Sequence, residues 1–194
     1  MKRFIKKHNL GMLTGLIIFL VLLFICVFQF MLFRSNTKKI ETALNGYLNE
    51  MDKKTINIPS VNNSSQTNDL INVIDKYWTD DYEFDDDVSF NQYDDMTSTI
   101  KENISDGLAT DISYCNTSIS NIEFTKVNSK SIDVVLSLYI DSSASGDFDY
   151  NKSTITGIGL VNAGDSTYYT KTIRFVKKGN NWKIGTIYDA GFLD

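Results

Sequence analysis

Side chains that could carry out catalysis are sparse in this sequence. The only histidine is His8, and the two cysteines are Cys26 and Cys115. A Ser-His or Cys-His arrangement, or a histidine-bearing metal site, needs an imidazole beside its other reactive groups. Because His8 lies near the N-terminus and Cys26 lies in an apolar run, neither should meet Cys115. We therefore expect no catalytic residue, no bound metal and no cofactor, and no enzyme activity.

An acidic stretch is the one candidate for a metal site. Eight acids and no base lie between Asp80 and Asp95. Asp81, Glu83, Asp85 and Asp87 alternate as calcium ligands do in an EF-hand, but the sixth position is not glycine and the twelfth, Gln92, is not glutamate. The pattern indicates a solvated acidic loop, with weak binding of a divalent cation as the alternative.

A membrane-spanning helix is predicted over residues 10–33. This run contains no charged residue, and at about 1.5 Å per residue it exceeds the roughly 30 Å of a bilayer core. A cleaved signal peptide would have a shorter apolar region ending in small residues. Gly11 and Gly15 have the spacing that allows membrane helices to pack closely.

Charge sets the expected orientation and excludes one class of partner. Residues 1–9 carry four bases and no acid, which favours a cytoplasmic N-terminal tail and an extracytoplasmic C-terminal part. Fifteen of the 19 bases and all 24 acids follow the helix, so the net charge after Phe33 is −9. An acidic surface repels nucleic acid, so we expect no direct nucleic-acid binding by this part. A single thiol outside the membrane, with abundant lysine and asparagine, favours a Gram-positive cell envelope.

Residues 34–52 are predicted to continue the membrane helix as an amphipathic stalk. One face carries an apolar stripe that a partner must cover: Ile40, Leu44, Tyr47, Leu48 and Met51. Two alternatives remain open, self-association through this stripe and packing of the stalk on its own domain. Residues 53–66, which contain the only proline, Pro59, are predicted to be a linker.

Residues 67–194 are predicted to form an α+β domain. Apolar residues at helical spacing predict one helix beginning near Asn68 and a second from Met96 to Leu108. Alternating patterns then predict four or five antiparallel strands, including residues 119–127 and 131–141, one short edge strand within 153–161, and a closing hairpin from 168 to 190. Helices should cover one face of a curved sheet.

The closing hairpin carries the most specific sequence pattern. It reads YYTKTIRFVKKGNNWKIGTIYDAGF, and its sharpest segment runs from Lys178 to Ile184. This pattern resembles the nuclear-transport-factor-2-like (cystatin-like cone) superfamily. A short basic tail, one membrane helix and one outer cone domain are together similar to the bitopic assembly factors of type IV secretion, nearest to those of Gram-positive conjugation systems. No N-P-x-G segment follows the sheet, which departs from that pattern.

The resemblance implies a non-catalytic subunit that contacts other secretion-channel subunits and forms a homo-oligomer in the cell membrane. One alternative is a ligand-binding or sensor domain of another envelope complex, such as one for division or sporulation. A less favoured alternative is a pocket enzyme that uses Tyr139, Asp141, Tyr188 and Asp189, although strand alternation places Tyr139 and Asp141 opposite the apolar face of their strand. In every case we expect Trp182 and Ile184 to pack under the first helix of the domain.

Overall fold

A computed structural model describes residues 2–59, 64–82, 92–144, 152–164 and 166–189, with side chains from residue 11 onward. Helix α1 runs from Lys2 to Thr55, and the chain divides into two compact units, Met1–Lys39 and Ile40–Asp194. Within the first unit, α1 is apolar enough to cross a membrane, with a mean hydropathy of 3.1 in a window that is entirely exposed. The predicted single membrane-spanning helix is therefore supported by length and composition.

Two further helices belong to the second unit. Helix α2 spans Ser64–Tyr77 and α3 spans Tyr93–Ser105. The first turn of α3 is stabilised because the backbone N–H of Gln92 donates to the Asp95 carboxylate at 3.0 Å. Helix α2 begins earlier than predicted, because the polar residues before Thr67 extend the helix instead of ending the linker.

Within the described residues, six strands form two antiparallel sheets. The larger sheet has the order β1-β2-β5-β6 and the smaller one pairs β3 with β4. Their bounds are Ile112–Thr125, Ser131–Ala144, Ser153–Thr156, Gly159–Asn162, Ser166–Lys178 and Asn181–Asp189 for β1 to β6. The α+β class, with helices on a curved four-stranded antiparallel sheet, is as predicted. The single edge strand predicted within 153–161 is instead a hairpin, because Gly157 and Ile158 form a tight turn between two short strands.

The core lies between the helices and one face of the larger sheet. Strand β2 contributes the alternating residues predicted for it, which are all buried: Ile132, Val134, Leu136, Leu138 and Ile140. Helices α2 and α3 add Leu70, Ile74 and Ile100, each with no exposed area. We call this side of the sheet the helix-covered face and the opposite side the outer face.

The apolar stripe of the predicted stalk also lies in this core. Ile40, Leu44, Tyr47, Leu48 and Met51 are each 0–2% exposed and pack with the residues of the sheet. Residues 40–55 are thus the first helix of the domain, and the unit starts well before Thr67. Of the two alternatives, the domain covers the stripe itself, which leaves these five side chains no surface for a second copy.

Candidate functional site

The most specific sequence segment, Lys178–Ile184, fixes the end of helix α2 to the closing hairpin. Gly179 has φ +61°, which the turn between β5 and β6 requires. Trp182 is 6% exposed, and the Lys183 ammonium donates to the carbonyls of Asp75 and Lys76 in the last turn of α2. A cation at that end of a helix satisfies terminal carbonyls and the helix dipole. Trp182 and Ile184 lie in the same core as Val73 and Ile74 of α2, so the packing of the hairpin under this helix is as expected.

A polar cluster lies on the outer face of β2, β5 and β6. The Asp133 side chain is 2% exposed and forms a bidentate ion pair with Arg174, whose Nε and Nη2 donate to Oδ1 and Oδ2 at 2.6 and 2.7 Å. Tyr188 donates its hydroxyl to Asp133 Oδ2 at 3.0 Å, and Arg174 Nη1 donates to the Tyr82 hydroxyl at 3.2 Å. These four side chains are the ion-pair cluster.

The ion-pair cluster is arranged to hold charge rather than to transfer protons. Hydrogen bonds to Asp133 raise the pKa of the Arg174 guanidinium, and burial, followed by the nearby Asp133 charge, raises the pKa of the Tyr188 phenol. Both shifts keep the groups in their neutral-pH protonation states. Both carboxylate oxygens of Asp133 accept hydrogen bonds, so this buried group connects strands β2, β5 and β6.

The four residues named for a pocket enzyme do not converge. Tyr139 and Asp141 lie on the outer face, and Asp141 accepts a hydrogen bond from Ser166 at 2.7 Å. Tyr188 belongs to the ion-pair cluster, and Asp189 is exposed and pairs with Lys171 at 2.5 Å. Sequence alternation correctly separated Tyr139 from the core but did not indicate that Asp133 and Arg174 form a pair, because they lie far apart in the chain.

A second buried polar group connects α1 to the edge strand β1. The Asp52 carboxylate accepts from the Thr117 backbone N–H at 2.6 Å, from the Thr117 hydroxyl at 2.9 Å and from the Cys115 thiol at 3.4 Å. Burial raises the pKa of Asp52, and burial together with the Asp52 charge raises the pKa of Cys115. A raised thiol pKa opposes formation of the thiolate, so Cys115 is poorly suited to be a nucleophile.

Two unpaired polar atoms lie inside the core. The Tyr47 hydroxyl and the Trp78 indole N–H are buried and have no hydrogen-bond partner of standard geometry among the described residues, and their rings are 6.2 Å apart in an edge-on arrangement. Burial raises the pKa of Tyr47, and a polar interaction between its hydroxyl and the Trp78 N–H, too distorted to count as a standard hydrogen bond, acts in the opposite direction. Buried groups of this kind are normally paired, so this position differs from the apolar core around it.

Exposed tyrosines mark the other half of the outer face. The rings of Tyr139 and Tyr168 are 5.0 Å apart, and Tyr168 is 72% exposed. Tyr114 is 46% exposed, and it lies on the same face because the register pairs it with Ser143 while Ser118 pairs with Tyr139. We call Tyr114, Asn116, Ser118, Tyr139 and Tyr168 the tyrosine face. None of these five residues carries a charge at neutral pH.

The remaining predicted sites are placed as follows. Around Gly11 and Gly15 in the apolar helix, an added Cβ would meet nothing within 4 Å. Most of the acidic stretch, including Glu83, Asp85 and Asp87, lies outside the described residues. Across the ranges that are described, no group of three histidine, cysteine or acidic side chains could hold a metal ion.

Comparison with known proteins gives matches in structure only. No protein-family model matches the sequence, and neither does any curated protein. A protein of Novosphingobium aromaticivorans, provisionally named a scytalone dehydratase, is 14% identical with a TM-score of 0.48, covering 78% of this chain and 80% of its own. A second protein from that organism, provisionally named an aromatic ring hydroxylase, is 9% identical with the same TM-score and covers 79% and 86%. A nuclear-transport-factor-2-like protein of Streptomyces avermitilis, provisionally named a dehydratase, is 10% identical at a TM-score of 0.48 and covers 80% and 95%.

These comparisons change one expectation and leave others as predictions. The architecture expected from the closing hairpin, helices over a curved antiparallel sheet, is confirmed, and the similar structure from Streptomyces avermitilis is named as nuclear-transport-factor-2-like. The expectation that the chain is not an enzyme is contradicted, since all three similar structures carry enzyme names, and it is withdrawn. Identities of 9–14% carry no reaction or substrate to this chain.

Proposed function

We propose that this chain is an assembly subunit of a type IV secretion machine of the Gram-positive conjugation kind. Its apolar helix anchors it in the cell membrane with the basic tail in the cytoplasm and the cone domain outside. The domain contacts channel subunits and a second copy of itself, and it does not contact nucleic acid. The tyrosine face is the single observation that carries this proposal.

The chemistry of the tyrosine face fits a protein interface. Tyrosine supplies a large contact area with few rotatable bonds, and it is enriched among residues that dominate binding energy. Charged residues are depleted at the centre of interfaces, and the five residues of this face are uncharged, with the Asp141 carboxylate beside them accepting a hydrogen bond from Ser166.

Site-specific photocrosslinking in the native membrane tests the proposal. A photoreactive residue at Tyr168, on the tyrosine face, should give crosslinks to channel subunits or to a second copy, identified by mass spectrometry. The matched control is Lys101, which is also exposed but lies on α3. Equal crosslinking from both positions, or products that contain only division proteins, would count against the proposal.

Orientation has its own test. The variant Ser98→Cys places a thiol at an exposed position of α3, away from the tyrosine face, whereas Cys115 is buried. A membrane-impermeant maleimide should label Ser98→Cys in intact cells and leave the unsubstituted protein unlabelled. Labelling only after the cells are broken would reverse the proposed orientation.

A second function, binding of a small molecule inside the cone, is favoured by the unpaired Tyr47 hydroxyl and Trp78 N–H. Two buried hydrogen-bonding groups on neighbouring rings could orient a polar ligand in an apolar surrounding. Native mass spectrometry of protein taken from membranes should then show a bound species that Tyr47→Phe loses. Identical spectra of the two proteins would dismiss this second function.

A further inference from the structure

The segment after helix α2 crosses the edge of the larger sheet and reaches its outer face. Trp78 forms a parallel bridge with Ile184 on β6, and the Thr79 N–H donates to the Ile184 carbonyl at 2.9 Å. Three residues later, the Tyr82 hydroxyl accepts from Arg174 in the ion-pair cluster. The segment Thr79–Tyr82 therefore joins the helix-covered face to the outer face.

The Tyr82 ring packs directly against Gly185, at a position where any larger residue would collide with it. A Cβ built on Gly185 would lie 2.8 and 2.9 Å from Tyr82 Cδ1 and Cγ, which is closer than real contacts allow. Gly185 does not have a left-handed backbone conformation, so backbone strain gives no reason for a glycine at this place. Close packing of the Tyr82 ring against the backbone of Gly185 does give a reason for glycine.

The ion pair of this segment differs in strength from the ion pair between Asp133 and Arg174. Asp81 pairs with Lys178 at 2.6 Å, but both side chains are 40% or more exposed, and such pairs contribute little. Asp133 and Arg174 are joined by a buried bidentate pair. The segment should consequently open more readily than the strands it covers, since local opening follows local contact strength.

We propose that Thr79–Tyr82 is a latch that opens while the sheet stays folded. When it is closed, the Tyr82 ring packs on Gly185 and covers Arg174. When it is open, the Arg174 guanidinium gains access to solvent. Trp78, 2% exposed, stays in the core and is the fixed end of the latch.

Hydrogen exchange of the full-length protein in lipid nanodiscs tests this device. The variant Tyr82→Phe removes the hydroxyl that Arg174 binds, and Gly185→Ala displaces the ring without altering any charge. The Thr79 amide is the reporter because it is bonded to Ile184 in the closed latch. Loss of one hydrogen bond to a charged group should speed its exchange about tenfold or more. Tyr168→Phe is the matched control, since it removes a tyrosine hydroxyl elsewhere on the outer face.

The expected result is faster exchange at Thr79–Tyr82 in both variants, with unchanged exchange in β2 and β5 and no change in Tyr168→Phe. Two results would overturn the latch. One is a rise in exchange across β2 and β5 by the same factor as at Thr79, which would mean that the segment opens only when the domain unfolds. The other is unchanged exchange at Thr79 in both variants.

Discussion

Removing residues 40–66 should abolish folding of the domain, although the sequence pattern places the start of the domain at Thr67. Five side chains of α1 are 0–2% exposed in the core, from Ile40 to Met51. Full burial of a large apolar side chain contributes about 1.5–3 kcal/mol, so the five together contribute about 8–15 kcal/mol. A domain of this size has a total free energy of unfolding of about 5–15 kcal/mol. Removing the five side chains therefore costs about as much as the domain's entire stability.

The comparison is between a fragment of residues 67–194 and one of residues 40–194. Both contain the two tryptophans, Trp78 and Trp182, which are buried in the intact domain. The longer fragment should show blue-shifted tryptophan emission and a single cooperative urea transition. The shorter one should show emission of solvent-exposed tryptophan and no transition, and a peptide of residues 40–55 added to it should restore part of the signal. Cooperative unfolding of the shorter fragment alone would refute the reasoning.

Three further changes test the packing and the buried charges. Trp182→Ala should lower the free energy of unfolding by about 3–5 kcal/mol, measured by circular dichroism in urea. Arg174→Met should cost about 3–5 kcal/mol because it leaves Asp133 buried without its partner, whereas Arg174→Met with Asp133→Leu should restore most of that loss. Burial raises the folded-state pKa of Asp52, so its contribution is complete below the unfolded pKa of about 4 and is lost as the pH rises through the folded pKa. Unfolding free energy should therefore fall with rising pH in that window more steeply in the wild type than in Asp52→Asn.

Each of these has an outcome that contradicts it. A loss below 1 kcal/mol for Trp182→Ala would place that ring at the surface. A double variant as unstable as Arg174→Met would show that the ion pair is not the source of the loss. Equal pH slopes for wild type and Asp52→Asn would mean that Asp52 does not titrate differently in the folded state.

Local sequence patterns predicted the strands that carry strict alternation or a turn residue. Strand β2 has an apolar residue at every second position from Ile132 to Ile140, and Gly179 at φ +61° marks the closing turn. The start of β1 was missed, because Ile112 to Ser118 contains two serines and an asparagine, which are typical of turns and loops. Here pairing with β2 decides the structure rather than the residues themselves.

The stalk was assigned to the wrong unit for a different physical reason. Periodicity shows that one face of a helix must be covered, but it does not identify what covers it. The stripe from Ile40 to Met51 is equally compatible with a second copy and with the sheet, and only the structure places Leu136 and Phe175 in the same core. A boundary drawn from the change of composition at Lys53 therefore separated a helix from its own domain.

The ion-pair cluster shows what the alternating pattern of a strand can and cannot predict. In β2 the pattern correctly places Asp133 on the face opposite Ile132 and Val134, and an acid on that face is ordinarily read as a solvated residue. Asp133 is instead 1% exposed, because Arg174 comes from a strand 41 positions away, Tyr188 from the strand after that, and Tyr82 from the segment beyond α2. A period of two tells which side of a sheet a residue faces. Whether that side is covered depends on contacts between residues far apart in the sequence. In this domain such contacts cover part of the outer face, and the buried charge of Asp133 lies there.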